Sequence, residues 1–174
     1  MRGTVERVFV LGIDPGLTRC GFGLVEGSLE GDRPAVAVRA GLIETDPAEP
    51  VEARLAQLGR DLARLYAEVT AEVVVVERVF YQRNARTAIP VAQASGVAIA
   101  LAEGTRVRQF TAQEVKLAVT GYGAADKAQV QAMVARLLGL AEVPRPPDVA
   151  DALALALTYL AVARTEARLE APTP

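Results

Sequence analysis

The stretch 7-RVFVLGIDPGLTRCGFGLVE-26 decides how the chain is read. Its first half is an apolar run that ends at Asp14, where Pro15 and Gly16 break it at once. Valine, isoleucine and phenylalanine suit a pleated strand, whereas Asp-Pro-Gly is turn chemistry. The second half has strand character again from Gly21 to Glu26, and 35-AVAVRAGLIET-45 follows in kind. Strands over 7–13, 21–26 and about 35–45 therefore read as an antiparallel meander, with Asp14 at the end of the first.

Beyond residue 50 the periodicity changes. Val51, Leu55, Leu58, Leu62, Leu65 and Val69 recur at spacings of four and three, the stripe of an amphipathic helix. VVVV at 73–76 is an uninterrupted β-branched run, which suits a strand buried on both faces of a parallel or mixed sheet. The alanine-rich segment from Asn84 to Glu103 predicts a second helix, kinked at Pro90 or losing its first turn there, and VRQF a short strand after it. Thr111 and Glu114 form a T-x-x-E capping box that opens a short helix ending near Gly121. The run 124-AADKAQVQAMVARLLG-139 predicts another helix that Gly139 stops. PRPP then breaks the chain, and 148-DVADALALALTYLAVARTEARL-169 predicts the last helix, with Asp148 at its N-cap and Asp151 in its first turn. This is a mixed α/β order, read as one domain over 1–170 with a flexible tail at 171–174.

Composition narrows the chemistry. The chain has 174 residues, 51% hydrophobic and 23% charged, as in a soluble globular protein. Its longest apolar runs fall short of the ~20 residues of a membrane span, and no signal peptide opens it, so a cytoplasmic protein without membrane partners is expected. A single cysteine, Cys20, excludes an internal disulfide, and the absence of histidine removes the usual zinc ligand and general base. Chemistry is left to carboxylates, lysine, hydroxyls or a hard metal ion. The formal net charge is −2, yet from Arg78 to Lys127 seven basic side chains face three acidic ones. That segment carries +4, leaving −6 for the remainder. Both lysines of the chain, Lys116 and Lys127, lie inside it.

Carboxylates stand at the ends of these elements: Asp14 after the first strand, Glu77 after the VVVV strand, and Asp148 and Asp151 three apart on one helix face. Each alone has an ordinary reading as a turn, a strand end or a helix-start residue. Together they need a different account. A right-handed crossover after the meander would make the first and fourth strands neighbours, bringing Asp14 beside Glu77. Like charges gathered there repel by up to ~4 kcal/mol per close pair at an effective dielectric near 20. Oxygen-only ligation with open positions suits Mg2+ or Mn2+. Two such ions are a standard device for phosphodiester cleavage.

GIDPG, VVVVERVF, AQASGVAIA, QEVKLAVTGYGAADKAQVQ and DVADALALAL resemble, in order and spacing, the bacterial RuvC family of Holliday junction resolvases. The resemblance implies an RNase H-like fold with a mixed five-stranded sheet flanked by helices. It also implies a homodimer that nicks four-way junction DNA symmetrically, working with the branch-migration proteins RuvA and RuvB. The family's catalytic acids fall on Asp14, Glu77, Asp148 and Asp151, although some relatives carry histidine at the last position. Its basic residues near the scissile phosphate match Lys116 and Lys127, and its base-stacking aromatic matches Phe80. A lysine supplies a compact charge for a phosphate, and an aromatic can stack on an unpaired base. The ordinary alternatives are solvated charges for the lysines and a core or interface place for Phe80. Alternation turns Arg78 away from the site, so Arg83 and Arg86 are the better DNA-backbone candidates.

Three rivals remain open at this point. One is a related nuclease acting on RNA or RNA–DNA hybrids, since an acidic site does not report the sugar. Another is a phosphotransferase of the actin and sugar-kinase type, which needs two lobes that 174 residues do not provide. The third is a junction-binding module without catalysis, against which all four acids argue.

Overall fold

The structure, a computed structural model, describes residues 7–30, 33–78 and 85–170, with the backbone alone for 85–87. The meander forms as expected from β1 (Arg7–Asp14), β2 (Arg19–Ser28) and β3 (Val36–Glu44). Helix α1 (Val51–Glu68) carries the chain back across the sheet to β4 (Val73–Glu77), which pairs in parallel with β1. After α2 (Ala85–Leu101), β5 (Arg106–Phe110) adds in parallel to β4. The sheet order is β3-β2-β1-β4-β5, followed in the chain by α3 (Ala112–Thr120), α4 (Lys127–Leu137) and α5 (Pro147–Glu170).

Strand alternation assigns the two faces. Val8, Val10, Val25, Val73 and Val75 pack with α5, α3 and α4. Leu11, Ile13, Phe22, Leu24, Val74 and Val76 pack with α1 and α2 on the other side. By the same period of two, Asp14 and Glu77 belong to the α5 face. The β1–β4 pairing runs to Ile13 and Val76, so each carboxylate is the next residue beyond it, at the C-terminal ends of two adjacent parallel strands.

Helix α5 lies unusually close to that face because β1 and β2 offer it glycines. A Cβ at Gly12 would collide with the Ala152 carbonyl oxygen, and one at Gly21 with the Asp148 carbonyl oxygen. At Gly23 and Gly27 it would meet the side chains of Leu153 and Leu160 at 2.7 and 2.6 Å. The helix backbone thus rests almost directly on the sheet backbone. Its other side is covered by α3 and α4, and from Val149 through Leu160 every residue but the half-buried Asp151 is buried. A helix apolar all round is what such a central position requires.

Some expectations need correction. Helix α2 continues through Pro90, so of the two expected outcomes the loss of its first turn does not occur. Asp148 is not an N-cap: Pro147 is the first helical residue, its fixed φ being suited to that position, and Asp148 falls inside the first turn. Asp151 consequently sits beyond that turn rather than in it. The expected tail at 171–174 lies outside the described residues.

Gly12→Ala is expected to destabilise the fold by about 1–3 kcal/mol through overpacking against α5, although the new residue is apolar and small. Urea unfolding measures it. A loss below about 0.5 kcal/mol, the usual size for an innocuous surface change, would mean that the helix–sheet distance is not set there.

Candidate active site

The end of β1 is pinned from behind. The Thr45 hydroxyl donates to the Leu17 carbonyl at 2.5 Å, and its backbone N–H donates to the Thr18 carbonyl at 3.1 Å. Arg54, in the first turns of α1, donates through Nε to Thr45 Oγ1 at 3.0 Å and through Nη2 to Thr18 Oγ1 at 2.6 Å. The turn that follows Asp14 is therefore tied to the end of β3 and the start of α1.

In front of that turn a cleft of about 290 Å³ is lined by Asp14, Glu77, Asp151, Lys116 and Lys127, with Val115, Val130 and Leu155 in its apolar wall. Five elements supply the acids and lysines: β1, β4, the start of α5, and the helices α3 and α4. Each lysine is fixed by its helix. The Thr111–Glu114 capping box opens α3, which carries Lys116. A second box, Asp126 with Gln129, opens α4 at Lys127.

Asp148 does not line this cleft. It sits on the flank above Gly21, with Oδ2 4.0 Å from Arg19 Nε, while Arg19 is also 3.8 Å from Glu44. Its charge still reaches Asp14. Burial first, then the charges of Asp151, Glu77 and Asp148, push the Asp14 carboxyl up to about 7 from its ordinary 3.8, against a lowering by Lys127. Glu77 is raised by burial and by Asp151, again with Lys127 opposing. Lys127 Nζ stands 2.6 Å from Asp151 Oδ2, and that bond holds the ammonium above its ordinary range. Cys20 takes no part in this chemistry: it lies on the opposite face of the sheet, and burial pushes its thiol up to about 12.

The chemistry of this donor set fits a hard divalent ion. The donors are carboxylate oxygens, and Asp14 is a half-buried carboxyl that desolvation and then its acidic neighbours make costly to ionise without added positive charge. Among the described residues, no three acidic or sulfur-bearing side chains are gathered into a ready-made ligand cluster. Mg2+ does not need one, because it keeps several waters and takes one or two carboxylates.

Of the other expected site residues, Phe80 and Arg83 lie outside the described residues. Arg86 lies in the first turn of α2, where the backbone alone is described. Arg78 is exposed, and its guanidinium turns to the Gln109 carbonyl at 3.3 Å. Arg19 was not anticipated. No motif marks it, and its nearness to Asp148 arises from packing. The Asp126 box was legible, since D-x-x-Q follows the same capping logic as T-x-x-E.

Sequence and structure comparisons bear on this site. A family model described as crossover junction endodeoxyribonuclease RuvC matches residues 10–159. The chain belongs to the RuvC family. A crossover junction endodeoxyribonuclease RuvC from Salinispora arenicola is 52% identical over 164 residues, covering 93% of both chains. A Thermus thermophilus RuvC structure superposes with a TM-score of 0.81 at 36% identity, covering 91% of this chain and 97% of the other. A T. thermophilus RuvC in complex with Holliday junction substrate gives 0.80 at 34% identity, covering 91% and 96%. The RNase H-like fold expected from the sequence is thus the fold observed.

The raised Asp14 carboxyl makes a prediction about stability without metal. Between about pH 4 and pH 7 the folded protein keeps a proton that the unfolded chain has lost, so this group subtracts stability as pH rises through that window. In a chelator at pH 8, Asp14→Asn is expected to be more stable than the wild type, on the order of 2–4 kcal/mol. Thermal melts of both proteins from pH 5 to 8 measure the difference. An advantage that does not grow with pH would contradict the placement of Asp14 among repelling charges.

Proposed function

We infer that the chain is a structure-selective endonuclease that resolves four-way (Holliday) DNA junctions by paired symmetric nicks in recombination and repair. The observation that supports it best is the meeting of Asp14, Glu77 and Asp151 with Lys116 and Lys127 in one cleft, in a chain of the RuvC family. Asp14, Glu77, Asp148 and Asp151 would hold Mg2+ or Mn2+, Asp148 from the flank of the cleft. We take two ions per site. When bound they supply an activated water and neutralise charge on the leaving oxygen.

The chain's own groups do the rest. The strand ends fix Asp14 and Glu77, and rigid placement of this kind is worth more than loop-borne groups in a reaction governed by positioning. Lys116 and Lys127 approach a backbone phosphate from the α3 and α4 side as compact charges. Phe80, three residues past Glu77 at the end of β4, is proposed to stack on an unpaired base at the junction centre. Arg83 and Arg86 are proposed backbone contacts beside it.

The unit over 1–170 is proposed to act as a homodimer, because two sites are needed for two opposed strands. RuvA and RuvB are the branch-migration partners that the family reading brings, in the cytoplasm. No helix among the described residues is long and apolar enough to cross a membrane.

Asp14→Asn is expected to abolish metal-dependent junction cleavage, by at least about 10²-fold, while junction affinity stays within about threefold, because a ligand is lost and the basic surface is not. Gel-shift and cleavage assays on one labelled junction separate the two. Lost binding with unchanged cleavage per bound complex would contradict the role of Asp14. Phe80→Ala is expected to slow cleavage with the melting temperature unchanged; a wild-type rate would remove Phe80 from the site.

A further inference from the structure

We propose that Lys127 is the resident counter-ion of the metal-free site, holding Asp151 until a divalent ion displaces it. This rests on the metal-dependent reading above and concerns how the same site is loaded. The Lys127 Nζ–Asp151 Oδ2 separation is 2.6 Å, shorter than the 2.8 Å between Arg39 and Glu68 on the sheet's far edge. Lys116 lines the same cleft and makes no ion pair among them.

The position of Lys127 is informative. It is the first residue of α4, fixed by the capping box in which Gln129 N–H donates to Asp126 at 2.8 Å and Asp126 N–H donates to the Gln129 side chain at 2.9 Å. A cation there faces the positive end of the helix dipole, which disfavours it. What favours the ammonium is the acidic cluster across the cleft, where Asp151, Asp14 and Asp148 all support its charged form.

No three described acids form a ligand cluster, and one of the cleft's acids, Asp151, is committed to Lys127. The pair is nevertheless open to exchange. The lysine side chain is 61% exposed and the aspartate 28%. Exposed pairs of this kind hold only weakly, and a lysine stem swings easily. A divalent ion that takes Asp151 releases an ammonium already poised over the cleft, where a phosphate of the substrate is the next available anion. Metal and DNA loading then reinforce each other instead of competing for one positive potential.

Calorimetric titration of Mg2+ into the DNA-free full chain tests this. Lys127→Met is expected to bind Mg2+ about three- to fivefold more tightly than the wild type, and Lys127→Arg, which keeps the charge, to stay within about twofold of it. Lys116→Met removes a charge from the same cleft without breaking a pair and is expected to gain less than Lys127→Met. Melting temperatures verify that each variant is folded. Equal Mg2+ affinity in wild type and Lys127→Met would overturn the proposal and leave the metal reading intact. An equal gain in Lys127→Arg or Lys116→Met would overturn it too. Failure of every variant to bind Mg2+ would bring down the metal reading and this proposal with it.

Discussion

The contact on which the rest of the molecule depends is the one between the α5 backbone and the glycines of β1 and β2. Packing a helix on a sheet ordinarily leaves side chains of both between the two backbones. Here Gly12 and Gly21 leave room for the carbonyl oxygens of Ala152 and Asp148 themselves. Lowering α5 by the depth of a side chain brings its first turns level with the ends of β1 and β4. Asp151 thereby reaches a cleft otherwise lined from strand ends and from α3 and α4. The same approach seats Asp148 against Gly21, beside Arg19 rather than inside the cleft.

That geometry has an electrostatic consequence. Carboxylates that would separate in water are held together by backbone packing, and Asp14, the most enclosed of them, carries the cost as a carboxyl raised to about 7. The protein answers with cations on the surrounding elements: Lys127 on Asp151 and Arg19 near Asp148. Asp14 and Glu77 receive no such direct pair among the described residues. The site is thus partly neutralised, with its deepest carboxylate left short of positive charge, and a hard divalent ion meets that need. A fold held by a large helix–sheet core can sustain this local strain, because the core lies on both sides of the sheet and does not depend on the site.

Much of this was legible in the sequence. Their places at the ends of two strand-like runs marked Asp14 and Glu77, and the right-handed crossover that makes those strands neighbours brought the two together. The Thr111 box and the Gly121 and Gly139 stops placed α3 and α4, and both glycines adopt the left-handed conformation that ends a helix, with φ of 74° and 62°. What escaped was the meaning of residues read too locally. Gly12, Gly21 and Gly23 looked like ordinary members of glycine-rich strands, because nothing in one strand tells how close a distant helix comes. PRPP looked like a breaker, when its last proline is the first residue of α5. Arg19 and the Lys127–Asp151 pair depend on elements more than 20 residues apart, and charge patterning along the chain does not report such neighbours.

The central claim is that a metal-dependent carboxylate cleft and a basic segment together select a branched DNA substrate. The most direct measurement incubates the purified chain and Mg2+ with labelled four-way junction, linear duplex DNA and an RNA–DNA hybrid in parallel. The account predicts paired, symmetric nicks in the junction, absent when Mg2+ is chelated, with the linear duplex and the hybrid left whole. Cleavage of the hybrid or the duplex at the junction's rate, or junction cleavage that persists in chelator, would contradict it.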